Sequence, residues 1–287
     1  MREFEYYKVK NLKEAINLSK KFGKNKRFLA GGTDLIVRLK DNLTKEENII
    51  DIKNIEELKG IKEVEDEIHI GSLVTFSEII ESAILKKYSP LIVEASKKVG
   101  SPQIRNKGTI GGNICNASPA GDSIPPLFCE DAKFFLESTT GSRVVNIEDF
   151  FKGPGKTILK EDEILVKIIV KKWKENESGF FNKLGQRNAL TIAIASSCVK
   201  IKKSEEKIDD IKISLGSVSP TVVRAKKVEN ILRGLKEYKK DEIIKVCDEV
   251  KEEIDPITDV RGSREYRIEV SKYLVFEALN NLLNIRG

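Results

Sequence analysis

Two glycine pairs place the strongest constraint on how this chain folds. One lies in Leu29-Ala30-Gly31-Gly32-Thr33-Asp34-Leu35-Ile36, the other in Gly108-Thr109-Ile110-Gly111-Gly112-Asn113-Ile114. Lacking Cβ atoms, paired glycines reach backbone angles closed to other residues and let successive N–H groups converge on an anion. One such pair alone is most simply a tight turn. Two pairs with small polar neighbours in Thr33, Thr109 and Asn113 suit the two phosphates of a dinucleotide gripped from opposite sides. Neither segment follows the G-x-G-x-x-G pattern that opens the helix of a Rossmann βαβ unit, so a different dinucleotide fold is expected.

The flanking periodicities supply the framework. Leu12, Ala15, Ile16, Leu18 and Phe22 share one face of a helix over 12–22, and Arg27–Ala30 is a short strand running into the first glycine pair. Further strands are expected at 49–52 and 68–71, helices at 77–85 and 90–99, and a buried strand at 163–170. A polar, punctuated stretch follows, which sets a domain boundary near 175 and two domains, 1–175 and 176–287. In the second, runs at 193–202 and 208–218 flank the charged turn Lys203-Ser204-Glu205-Glu206-Lys207, an antiparallel hairpin pattern. Helical patterns at 222–232, 241–253 and 264–283 then take over, with Gly234 expected to stop the first. The fold class is α+β.

Composition narrows the chemistry. The 51 Lys and Arg against 45 Asp and Glu are interspersed, and arginines are scattered, which describes a solvated surface rather than a nucleic-acid stripe. Cys115, Cys129, Cys198 and Cys247 form no C-x-x-C pair, so neither an iron-sulfur cluster nor a structural zinc is expected on this chain. His69, the single histidine, sits in an alternating strand pattern, and no G-x-S-x-G elbow is present, so an enzymatic role calls for a bound cofactor. Gly153-Pro154-Gly155-Lys156-Thr157 ends like a P-loop, but Phe150 stands where that motif needs its first glycine. No apolar run has a spanning length, and the N-terminus is acidic early, so a cytoplasmic protein is expected. Within Asn116–Leu127, rich in small residues and proline, Asp122 is the only charge; it suits a turn cap or an acceptor for a ribose hydroxyl equally.

Together, Leu29–Leu35, Gln103-Ile104-Arg105-Asn106 leading into Gly108–Asn113, and Asn116–Asp122 resemble the FAD-binding subunits of molybdenum hydroxylases. That family includes xanthine dehydrogenase, nicotinate dehydrogenase and the carbon monoxide dehydrogenase flavoprotein. Ile70–Thr75, Gly153–Thr157, Lys183–Leu190 and Ser219–Ala225 follow in family order, so the resemblance spans essentially the whole chain. It implies a two-lobed FAD-binding domain of the vanillyl-alcohol-oxidase (PCMH) type, then a smaller α+β domain with an antiparallel sheet and helices. By the same resemblance, Leu29, Ala30, Gly31, Gly32, Thr33, Asp34, Leu35 and Ile36 would hold the diphosphate. Thr109, Ile110, Gly111, Gly112, Asn113, Ile114 and Asn116 would continue that site, with Ser101 close by. Asp122 would bind ribose or nearby hydroxyls, Leu165 would lie against a ring, and Lys183 would approach the isoalloxazine edge, where reduced flavin carries anionic charge.

The implied partners are a molybdopterin-binding large subunit and a [2Fe-2S] small subunit, with NAD+ as electron acceptor and a purine or another N-heterocycle as substrate of the complex. Only Cys129 lies between Gly121 and Leu165, which excludes the branch resembling hydroxybenzoyl-CoA reductase, with its inserted cluster cysteines. Two other readings stay open at this point: a cofactor-free scaffold, and a self-sufficient flavin oxidase or diaphorase.

Overall fold

A computed structural model of the chain describes residues 3–187, 190–205 and 207–285. Met1, Arg2, Asn188 and Ala189 of the Lys183–Leu190 motif, Glu206 of the charged turn, Arg286 and Gly287 lie outside the described residues.

The first lobe comprises β1 (Glu5–Lys8), α1 (Leu12–Phe22), β2 (Lys26–Leu29), α2 (Leu35–Lys40) and β3 (Asn48–Asp51). Its three strands form a parallel sheet in the order β1-β3-β2. Asn11 starts α1 by accepting from Glu14 N, and Gly23, at φ +54, ends it.

The second lobe opens with β4 (Ile61–Val64) and β5 (Glu67–Gly71). Short helices follow: α3 (Phe76–Glu81), α4 (Ala83–Tyr88), α5 (Pro90–Lys97), α6 (Pro102–Arg105), α7 (Ile110–Asn116) and α8 (Ile124–Cys129). It closes with β6 (Lys133–Ser138), β7 (Gly141–Asn146), α9 (Ile147–Phe150), β8 (Phe151–Gly153), β9 (Lys156–Thr157) and β10 (Ile164–Lys171). Its main sheet, β4-β5-β10-β6-β7, is antiparallel throughout. The continuous apolar run of β10 has a clear reason. Ile164 and Val166 enter the core shared with α1 and β3, while Leu165, Ile168 and Val170 enter the core beneath the helices, so both faces are buried.

The C-terminal domain holds β11 (Glu177–Leu184), β12 (Ala195–Ser204), β13 (Lys207–Gly216) and β14 (Val223–Arg224), then α10 (Lys226–Gly234), α11 (Lys240–Asp248) and α12 (Arg264–Leu283). The strands form an antiparallel sheet, β11-β12-β13-β14, on which α10 and α12 pack through a second core of aliphatic residues. Among the described residues, no helix is long and apolar enough to cross a membrane.

Several expected elements change. The helix at 77–85 is two helices, because Ser82 leaves helical geometry (φ −61, ψ 115) and its hydroxyl caps a new start at Leu85 N. The helix expected from 222 begins at Lys226, since Val223 and Arg224 pair with β13, and Gly234 is its last residue rather than the stop beyond it. The helix expected over 241–253 ends at Asp248 and tightens into a 3-10 turn over Glu249–Glu252. Gly153–Thr157, expected as a loop, is a two-stranded hairpin of β8 and β9.

Candidate cofactor site

The two glycine pairs meet, and within each pair the two residues do different work. A Cβ on Gly31 would fall 1.9 Å from the carbonyl oxygen of Lys107, so this glycine is where the first loop presses on the backbone entering the second. Gly32 stands at φ +75, in the left-handed region, and turns the chain into α2. Ile36 N closes that turn on Gly32 O at 3.1 Å. Leu29 is buried, Ala30, Thr33 and Leu35 are half-buried, and Asp34 and Ile36 are exposed. The Asp34 carboxylate stands 3.9 Å from Arg38. Thr33 Oγ1 lies 3.5 Å from the point a Cβ on Gly108 would occupy, which sets this hydroxyl at the junction of the two segments.

The second pair is not a loop: Gly111 and Gly112 form the first turn of α7. Thr109 caps that turn, its Oγ1 accepting from Gly112 N at 3.1 Å. A Cβ on Gly111 would lie 2.5 Å from both Cβ and O of Ser72, so a close backbone approach requires glycine here, while Gly112 is exposed. Gly31 and Gly111 are thus pressed on neighbouring protein, whereas a Cβ on Gly32 would meet the side chains of Leu29 and Ile36 at 3.2 Å and one on Gly112 only the Thr109 hydroxyl at 2.9 Å. Ile110 and Ile114 are fully buried in the second-lobe core and leave only main chain to offer a ligand.

Around this junction, Ser101 caps α6 by accepting from Ile104 N at 3.3 Å. It follows Gly100 at φ +43, whose carbonyl, like that of Val99, accepts from Arg105. Asn116 ends α7 half-buried, beside the left-handed Ala117, whose carbonyl accepts from Gly155 N of the β8–β9 hairpin at 2.9 Å. Cys115 is solvent-accessible, yet the protein packed around it pushes its thiol up to about 12.

Asp122 and Lys183 come from different domains and meet. Lys183 Nζ donates to Asp122 Oδ2 at 2.6 Å and to the Lys98 carbonyl at 3.1 Å, with both side chains nearly buried. Burial raises the Asp122 carboxyl to about 6, against the pull of the Lys183 charge and hydrogen bond. Asp122 Oδ1 is buried and has no partner among the described residues. The ammonium, with two of its three protons engaged, keeps one to give. Leu165 is not gathered with these groups: it is 3% exposed, and its side chain packs in the second-lobe core.

The residues thus make a continuous strip from Gly31–Thr33 through Lys107–Asn113 to Asp122, Lys183 and Lys98. Two accessible glycines suit a polyanion at one end, and an orphaned carboxylate oxygen beside a cation suits hydroxyls or a polar ring edge at the other. These demands match a dinucleotide such as FAD. Sequence reasoning missed Ser72, the Lys98 carbonyl and Ser123, whose hydroxyl donates to Asn113 Oδ1 at 2.8 Å; no local pattern marks such long-range partners.

Comparison with known proteins agrees over nearly the full length. Residues 2–173 match the FAD binding domain in molybdopterin dehydrogenase, and 181–282 match the CO dehydrogenase flavoprotein C-terminal domain. The chain is 36% identical to the glyceraldehyde dehydrogenase medium chain of Sulfolobus acidocaldarius, over 98% of each chain. It is 30% identical to the xanthine dehydrogenase FAD-binding subunit of Escherichia coli O157:H7, over 98% of this chain and 97% of that one. Its fold superimposes with a TM-score of 0.94 on carbon monoxide dehydrogenase from Hydrogenophaga pseudoflava lacking the Mo-pyranopterin moiety, at 33% identity, covering 97% of this chain and 96% of that one. With both domains matched, this chain belongs to the family of FAD-binding subunits of the molybdenum hydroxylases and is an FAD-dependent oxidoreductase subunit.

Proposed function

We propose that the strip described above is the FAD site and that the chain is the electron-transferring subunit of a heteromeric complex. The partners are a molybdopterin-binding large subunit, where substrate is hydroxylated, and a [2Fe-2S] small subunit that relays single electrons to this chain. FAD, when bound, supplies the capacity to collect those electrons and release a pair as hydride, with NAD+ as acceptor. Gly32, Gly112 and Asn113 receive the diphosphate, Asp122 Oδ1 accepts from a cofactor hydroxyl, and Lys183 offers its remaining N–H to the anionic edge of the reduced ring. Asp122 Oδ2 and the Lys98 carbonyl hold that ammonium in place.

The observation that carries this reading is the buried Asp122–Lys183 pair, with one carboxylate oxygen unpartnered, beside the open glycines. The single histidine accords with it, since proton transfer is not what such a subunit must supply. The substrate of the complex is proposed to be a purine or another N-heterocycle, handled by the large subunit. Relatives named for glyceraldehyde, xanthine and carbon monoxide share this flavoprotein frame, which supports substrate choice outside the chain.

Native purification of the complex, with mass spectrometry of its subunits, a visible spectrum and an assay of NAD+ reduction, tests the proposal. Near-equimolar flavin, co-purifying molybdenum and iron-sulfur subunits, and NADH formed on adding xanthine or nicotinate are expected. A colourless chain that cannot be reconstituted, or a reduced complex that leaves NAD+ untouched, contradicts it.

A further inference from the structure

The Asn113 carboxamide is fixed at one end and free at the other. Its Oδ1 accepts from Ser123 Oγ at 2.8 Å, and Ser123 is fully buried. The turn carrying Ser123 is rigid, with Gly121 N donating to Ser118 O at 2.9 Å and Ile124 N to Gly121 O at 3.1 Å. It also fits closely against the amide oxygen, since a Cβ on Gly121 would stand 3.0 Å from Asn113 Oδ1. Asn113 is half-buried, and among the described residues the bond from Ser123 is the one its carboxamide makes. With the Ser123 hydroxyl donating to Oδ1, the amide stands with its N–H pair turned away from the 121–123 turn.

We propose that Ser123 is a positioning residue for cofactor binding: it holds the Asn113 amide so that its N–H donors, rather than its oxygen, face the FAD diphosphate. This deepens the assignment of the strip as the FAD site and rests on it. An amide free to flip would present its oxygen to phosphate oxygens part of the time, and acceptor opposed to acceptor is repulsive. The Asn113 amide, singled out by type, thus depends on a buried serine behind it.

The test is the FAD dissociation constant of the full chain, measured by flavin fluorescence quenching for Asn113→Ala, Ser123→Ala and the double variant. Loss of one oriented hydrogen bond to the anionic diphosphate predicts that each single change weakens FAD by about tenfold or more. Ser123→Ala should add almost nothing once Asn113 is alanine, and Ser123→Thr should restore affinity. Asn113→Asp keeps the acceptor for Ser123 but puts an oxygen where the donors were, so it should weaken FAD more than Asn113→Ala does. That comparison stands even if Ser123→Ala fails to fold. Unchanged affinity in Ser123→Ala, full additivity in the double variant, or equal affinities for Asn113→Asp and Asn113→Ala overturns the proposal. Gly112→Val separates the two levels. If it abolishes FAD binding while Ser123→Ala does not weaken it, the site stands and the positioning role falls; if it leaves FAD bound, the site itself is misassigned.

Discussion

At the scale of single residues, the glycine pairs show how one residue type serves two ends. Gly31 and Gly111 let backbones touch, whereas Gly32 turns the chain at positive φ and Gly112 is exposed on the first turn of α7. Gly31→Ala must therefore push the Lys107 carbonyl aside and lose both thermal stability and flavin. Gly112→Ala meets only the Thr109 hydroxyl, at 2.9 Å, and is expected to lose flavin while its unfolding temperature stays close to that of the parent. Differential scanning calorimetry beside flavin content distinguishes the two, and equal stability losses contradict the division. Asp122 makes a second prediction. Because burial raises its carboxyl to about 6, the native apoprotein holds a proton that the unfolded chain has released between roughly pH 4 and 6. Its contribution to stability is therefore present below that window and lost as pH rises through it. Denaturant titrations across the window should show this decline in the parent and not in Asp122→Asn. A cofactor hydroxyl donating to Oδ1 favours the ionised form, so FAD should bind more tightly at pH 7 than at pH 5, and Asp122→Asn should remove that difference.

At the scale of elements, the two domains are joined by α8 against β12 and β13 and by α5 against β11. Leu91 and Ala95 of α5, Cys129, Phe181 and Cys198 make an apolar contact there. Beside it, the Glu130 carboxylate is fully buried and accepts from Lys200 at 2.9 Å, Trp173 at 2.6 Å and Ser89 at 2.9 Å. Burial raises the Glu130 pKa, while these partners oppose the shift. Removing the carboxylate leaves the buried Lys200 ammonium only Glu177, 3.5 Å away, so Glu130→Ala should destabilise the chain by up to about 3–5 kcal/mol, and adding Lys200→Met should recover much of it. Urea unfolding of the single and double variants checks this; a single variant within about 0.5 kcal/mol of the parent contradicts it. The same elements show why some structure was legible and some was not. The strand over 163–170 announces itself because both of its faces are buried, and the helix over 264–283 because Leu274, Val275, Ala278 and Leu279 recur at helical spacing. The break at Ser82 is set by a local cap inside an otherwise helical pattern. The placement of Gly111 and Gly112 in a helix runs against glycine's low propensity and is decided by Ser72, which lies across the lobe.

At the scale of the whole molecule, the site is a junction of three bodies: the parallel lobe brings Gly31 and Gly32, the antiparallel lobe α7 and Asp122, and the C-terminal sheet Lys183. The glycine pairs and the ordered motifs marked each contributor separately. Contacts spanning tens of residues, Lys183 with Asp122 and Gly31 with Lys107, emerge only once the lobes are packed together. That same packing sets Leu165 in the interior, in one core with Ile110 and Ile114 of α7. A crystal structure of the chain reconstituted with FAD measures the claim directly. The diphosphate should lie against the main chain of Gly32 and Gly112, with the ring edge beside Lys183. A nucleotide seated elsewhere, with both open glycines facing only solvent, would contradict the account.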